Sequence, residues 1–113
     1  MSRPSSLIAA PCNGLDQIDP LLQHRSRLGT MVLLSANDAI NFSTLRDLLR
    51  ETDGNLGAQL RKLEDANYIA VKKEFLARKP VSWYTLTSSG RKALKNHLAG
   101  LDAIVRSAGA SAG

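Results

Sequence analysis

Apolar residues recur at helical spacing through the first two thirds of the chain, then switch to alternation after residue 67. Asp19-Pro20 reads as a helix start, because Asp caps and Pro fits the first helical position. Leu21, Leu28, Met31, Val32 and Leu34 continue that helix to about Ala36. Asn37-Asp38 is a turn, and Ile40-Asn41-Phe42 is short and extended. Ser43 is placed to cap a second helix whose buried side is Leu45, Leu48 and Leu49. Arg50, Glu51 and Thr52 form a tight corner. Thr52 then caps a third helix to about Ala66, with Leu56, Leu60 and Leu63 on one face. Asn67 suits the left-handed stop that ends it.

From Tyr68 to Phe75, and again from Val81 to Leu86, strand formers alternate with polar residues. Ala77-Arg78-Lys79-Pro80 between them is a basic turn, so the pair predicts a hairpin. Thr87 or Ser88 opens a last helix, along which Leu94, Leu98, Leu101 and Val105 form a seam suited to a partner helix. The predicted class is α+β, mainly α: three helices, a hairpin and a C-terminal helix. A flexible tail is expected over 1–14, a folded domain over 15–106, and a frayed small-residue end over 107–113.

Composition narrows the options. With 113 residues there is room for one modest core. Aromatics are 4%, so that core is aliphatic. No apolar run nears the roughly 20 residues that span a bilayer. Leu7–Ala10 is too short and too close to prolines for a signal peptide, so a cytoplasmic location is the default expectation. The net charge is +5, and it is unevenly spread. Residues 61–95 hold nine basic and three acidic side chains, so the excess is concentrated there. Such a patch fits either a polyanion or a solvated basic face.

The third helix carries the most specific chemistry. Opposite its leucines the sequence places Asn55, Ala58, Gln59, Arg61 and Lys62, with Gly54 and Gly57 in the first two turns. Asn and Gln suit adenine, Arg suits guanine, and Lys neutralises phosphate. A glycine costs a helix interior roughly 1 kcal/mol. At Gly57 either close approach to nucleic acid or tight helix–helix packing would account for it; at Gly54 a corner does. Thr52, Gly54 and Asn55 offer amide donors to a phosphate. Ser43 and Thr44, at the start of the second helix, and Arg78 and Lys79, at the hairpin tip, complete the expected DNA-binding set. Leu21, Leu94, Leu98, Leu101 and Val105 form the expected dimer contact.

No catalytic constellation is present in the sequence: there is no carboxylate pair, nucleophile–base set or phosphate loop, and no cofactor is expected. His24 and His97 read as surface or packing residues rather than metal ligands. The single cysteine, Cys12, permits no internal disulfide and lies in the tail as an incidental thiol or an intermolecular redox switch.

Three further segments carry a resemblance. Asp19–Met31 resembles the opening of small winged-helix regulators related to the MarR and ArsR groups, Thr52–Leu56 with Leu60–Glu64 their recognition helix, and Arg78–Pro80 followed by Tyr84–Arg91 their wing and last-helix start. The match spans about residues 15–105. It implies a winged helix-turn-helix fold and a cytoplasmic, prokaryotic, homodimeric regulator, expected to be a repressor. It also implies double-stranded DNA with a pseudo-palindromic operator as partner, the third helix in the major groove and the wing on phosphate or minor groove. The sequence departs from the family at Gly57, where a larger polar residue is usual, and at Asn67, which replaces a glycine. ArsR-type metal sensors use cysteines on the recognition helix, and none is there. A winged-helix module binding an acidic protein partner is the competing reading.

Overall fold

A computed structural model describes residues 12–112, with side chains through Gly109. Two short 3-10 turns, Leu15–Gln17 and Pro20–Gln23, precede α1 (Arg25–Ala36). Then follow β1 (Ile40–Asn41), α2 (Phe42–Leu49), α3 (Asp53–Asp65), β2 (Ile69–Leu76), β3 (Lys79–Leu86) and α4 (Ser88–Ala112). The three strands form one antiparallel sheet in the order β1-β3-β2. This is the α+β, mainly helical arrangement that the period change predicts, and the winged helix-turn-helix that the resemblance implies.

Three boundaries differ from the sequence reading, each for a local reason. The first helix is broken at His24, whose backbone is extended. Asp19 does cap, by accepting from the Leu21 amide, but it caps only the 3-10 turn. The His24 ring then caps α1 by accepting from the Ser26 amide at 3.1 Å. At α2 the cap is Asn41, not Ser43: its side chain accepts from the Thr44 amide at 2.9 Å. Ser43 sits inside the first turn and donates to the same Asn41 oxygen. Finally, α4 runs through the small-residue segment to Ala112, where a frayed end is expected from sequence. The expected flexible tail falls on residues 1–11, outside the described residues, and on Cys12–Gly14. In that last stretch the Asn13 amide donates to the Ser107 hydroxyl of α4.

Thr52 caps α3 as its sequence position implies, accepting from the Asn55 amide at 3.1 Å. Asn67 ends the α3 region at φ 62°. The hairpin turn is tighter than the four-residue basic turn expected. Only Ala77 and Arg78 are unpaired, at φ 51° and 66°, between Leu76 and its partner Lys79. Positive φ at both central residues is the requirement of a two-residue hairpin loop that follows the strand twist.

One aliphatic core joins these elements: Leu22, Met31, Leu34, Leu45, Leu56, Leu60, Leu63, Ile69 and Leu94 are buried with Tyr84. Leu48, expected inside, is exposed. It lies at the outer edge of the Leu45–Leu49 stripe, where the short α2 has no element over it to cover that edge. A polar clasp holds the N-terminal turns to the body. The Asp19 amide donates to Nδ1 of His97, which is 1% exposed, and the Tyr68 hydroxyl donates to the Asp19 carboxylate at 2.5 Å. That carboxylate pushes the Tyr68 hydroxyl up to about 12. His97 is thus a hydrogen-bonded core residue rather than a surface one.

Candidate nucleic-acid interface

The corner between α2 and α3 positions everything that follows. Arg50 ends α2 in a left-handed conformation, and its amide bonds back to α2. Glu51 then turns inward. Its carboxylate accepts from the Ser26 hydroxyl, from Asn55 Nδ2 at 2.5 Å and from Arg25 at 3.1 Å. Those bonds, from Ser26 first and then Asn55, lower the Glu51 pKa below the ordinary glutamate value. Arg25 also donates to the Leu49 carbonyl, covering the exposed end of α2. On the outer side Arg46 of α2 pairs with Asp53 at the start of α3 at 2.9 Å, and with Asp47 at 3.1 Å. Its guanidinium is therefore held above the usual arginine range. Neither Glu51 nor Arg25 is singled out by the sequence, because their partners lie about 25 residues away.

The corner sets the rotation of α3. Leu56, Leu60 and Leu63 are buried, and Asn55, Ala58, Arg61 and Lys62 face outward. Gln59 does not join them. It is 8% exposed, and its Oε1 accepts from Arg27 of α1 at 2.5 Å. The expectation that Gln59 reads a base is corrected: it lies between the buried Leu56–Leu60 stripe and α1. Gly54 and Gly57 have open space where a side chain would stand. Tight helix–helix packing therefore does not explain Gly57. Thr52 is exposed at the start of the helix, as are Ser43 and Thr44 on α2.

The wing borders the same helix. Gly57, Arg61 and Glu64 of α3 and Val71 and Lys73 of β2 line one groove of about 270 Å³, floored by Leu60 and Tyr84. Strand alternation puts Ile69, Val71, Lys73 and Phe75 on one face. Ile69 is buried, Val71 half-buried, and Lys73 and Phe75 exposed, so this face runs from the core past α3 to the wing tip. Arg78 and Lys79 are exposed at the tip. Among the described residues Lys62, Lys73, Arg78 and Lys79 form no ion pair, whereas Arg61 meets Asp65 at 3.9 Å and Lys72 meets Glu74 at 3.7 Å. The structure therefore brings Arg61 of α3 and Lys73 of the wing to one groove, with Arg78 and Lys79 exposed at the tip of the same hairpin. Lys73 lies outside the DNA-binding set expected from sequence.

The expected dimer residues divide. Leu94 is buried in the protomer's own core and Leu21 packs against that core, so Leu94 is removed from the contact set. Leu98 and Val105 are 41% and 67% exposed on α4, with Leu101 half-buried beside them. No group of three or more His, Cys, Asp or Glu side chains suited to a metal occurs among the described residues. No described helix is long and apolar enough to cross a membrane.

The comparisons agree with this geometry. The family described as winged helix DNA-binding domain matches residues 26–105. An uncharacterized protein of Methanocaldococcus jannaschii is 32% identical over 72 residues, which are 64% of this chain and 78% of that one. Among solved structures, a transcriptional regulator homologue from Pyrococcus horikoshii superposes with a TM-score of 0.71 at 29% identity, over 76% of this chain and 85% of that one. Sco3205, a MarR family transcriptional regulator from Streptomyces coelicolor solved in complex with DNA, gives 0.60 at 20% identity. That alignment covers 83% of this chain and 64% of that one, and at this identity it speaks for the fold.

Proposed function

The chain belongs to the winged helix DNA-binding domain family, and from that premise we propose that it regulates transcription as a homodimer on a pseudo-palindromic duplex site. The observation that carries this reading is the groove shared by Gly57 and Arg61 of α3 and Lys73 of the wing, with Lys62, Lys73, Arg78 and Lys79 forming no ion pair among the described residues. In this reading Asn55, Ala58 and Arg61 meet base edges in the major groove, and Thr52, Lys62, Ser43 and Thr44 meet phosphate. Gly54 and Gly57 let the backbone come close, and Arg78 and Lys79 follow the strand beside the wing. Major-groove contacts supply sequence preference, and phosphate contacts supply affinity and its salt dependence.

The dimer uses Leu98, Leu101 and Val105 of α4, together with Leu15 of the first 3-10 turn. An exposed apolar stripe of this kind is unusual on a monomer. Two-fold symmetry then sets two α3 helices about one DNA turn, roughly 34 Å, apart.

Selection of bound duplexes from a random pool tests the reading. A recurrent, two-fold related motif is the expected result. A protein that stays monomeric in sedimentation at micromolar concentration and enriches no motif would overturn it. Binding confined to acidic polypeptides would favour a protein-interaction module instead.

A further inference from the structure

The wing tip holds an apolar group that the basic surface does not need. Phe75 is 77% exposed, and the sheet register sets it directly across from Pro80. Lys73 precedes it on the same face. Leu76, half-exposed, stands on the other face across from Lys79. Isolated exposed apolar residues are ordinary. Here Phe75, Pro80 and Leu76 sit together on a projection, beyond the reach of the core.

Resting on the DNA-binding reading above, we propose that Phe75 is a wedge that enters the minor groove beside each major-groove half-site and partly unstacks one base step. Three observations point to this occupant rather than to a second protein surface. Lys73 on the ring's own face, Arg78 in the turn and Lys79 on the opposite face beside Leu76 are cations without partners among the described residues, which match phosphates on either side of a groove. The face that carries Phe75 is continuous through Lys73 with the groove along α3, so a duplex lying on α3 reaches the ring. The two-residue turn with positive φ at Ala77 and Arg78 makes the projection short and narrow, suited to a confined groove.

An inserted apolar side chain opens a step and kinks the duplex by roughly 20–90° toward the major groove. The opening is easiest at pyrimidine–purine steps. The wing therefore adds sequence preference without hydrogen bonding any base, at a position outside the α3 contacts.

The experiment compares the wild-type protein with Phe75→Ala and Phe75→Leu, each used to select duplexes from the same random pool. Each protein is also bound to the wild-type selected duplex labelled at both ends for energy transfer. The wild-type protein enriches a TA or CA/TG step flanking each half-site and shortens the end-to-end distance. Phe75→Ala keeps the half-site motif, loses the flanking step, leaves the duplex straighter and binds the wild-type duplex about tenfold more weakly. Phe75→Leu, still an apolar wedge, retains most of the bend. Equal step preference and equal bend in wild type and Phe75→Ala would overturn the wedge while leaving the regulator reading intact. Failure of the wild-type protein to enrich any motif would overturn both.

Discussion

The α2–α3 corner and the wing tip, both assigned to the proposed DNA-binding face, are built in opposite ways. At the corner Glu51 is bonded to Ser26, Asn55 and Arg25, and Arg46 ties α2 to Asp53. One turn further on, Gln59 is bonded to Arg27. At the tip Phe75 to Pro80 are all exposed, and among these described residues no side chain makes a hydrogen bond or ion pair. Bonded polar groups in partly buried positions fix geometry, because leaving any one of them unpaired is costly. The corner therefore presets how α3 is aimed, and the wing meets its partner with groups whose own fold does not constrain them. Substitutions at the corner should alter stability and aim together. Substitutions at the tip should alter binding alone.

The largest effect expected from this contrast falls on Gln59. Gln59→Ala removes one of the two acceptors of Arg27, the Leu21 carbonyl being the other, and should lower stability by about 1–3 kcal/mol, read from the urea midpoint. The selected DNA motif should stay the same. A changed motif with unchanged stability would mean that Gln59 faces the groove after all. Gly57→Ala comes next. The site is open, so the added methyl meets no neighbour, and the helix gains about 1 kcal/mol. If Gly57 exists for close approach to a duplex, that stabler protein binds DNA less well. A stabler variant with full affinity would leave the glycine without a role in binding. Arg78→Ala is smaller on the stability axis, within about 0.5 kcal/mol for such a surface site. It should lower affinity for all sequences alike and reduce the salt slope by about one. A fall in stability at Arg78 as large as that at Gln59 would erase the contrast between the regions.

The sequence makes one kind of information easy to read and hides another. Leu56, Leu60 and Leu63, the Thr52 cap, the Asn67 stop and the two strands all follow from local spacing and local backbone preference, and all stand where that logic puts them. The misses are long-range. Gln59 looks like an outward residue because it is polar, and only an arginine 32 positions earlier makes its burial tolerable. Leu94 looks like part of a seam with Leu98, but the helix rotation that buries His97 under Asp19 buries Leu94 as well. His24 hides as a helix residue because a ring nitrogen accepting a backbone bond is a rarer cap than Ser or Asp. The polar face of α3 was legible in outline. Its edge was not, because the edge is set by α1.

Glu51 gives the most direct probe of the corner. Its pKa is lowered in the folded protein, chiefly by the Ser26 hydroxyl and then by Asn55, with Arg25 adding its charge. A depressed carboxylate stabilises the fold above its unfolded pKa, about 4.3 for glutamate. That contribution is lost as the pH falls from there through the lower folded value. The wild-type urea midpoint should therefore decline over this acid window. Glu51→Gln keeps the shape and one acceptor but cannot titrate. It should be less stable than wild type at neutral pH, because Arg25 loses its counter-charge. The gap should close on acidification, since only the wild type then loses a charged partner. DNA affinity at neutral pH should fall in the variant without a change in salt slope, because Glu51 aims α3 and touches no phosphate. Two midpoints that run parallel with pH would show that the carboxylate is not the hub of the corner, and the contrast with the wing would then rest on the Gln59–Arg27 and Arg46–Asp53 pairs.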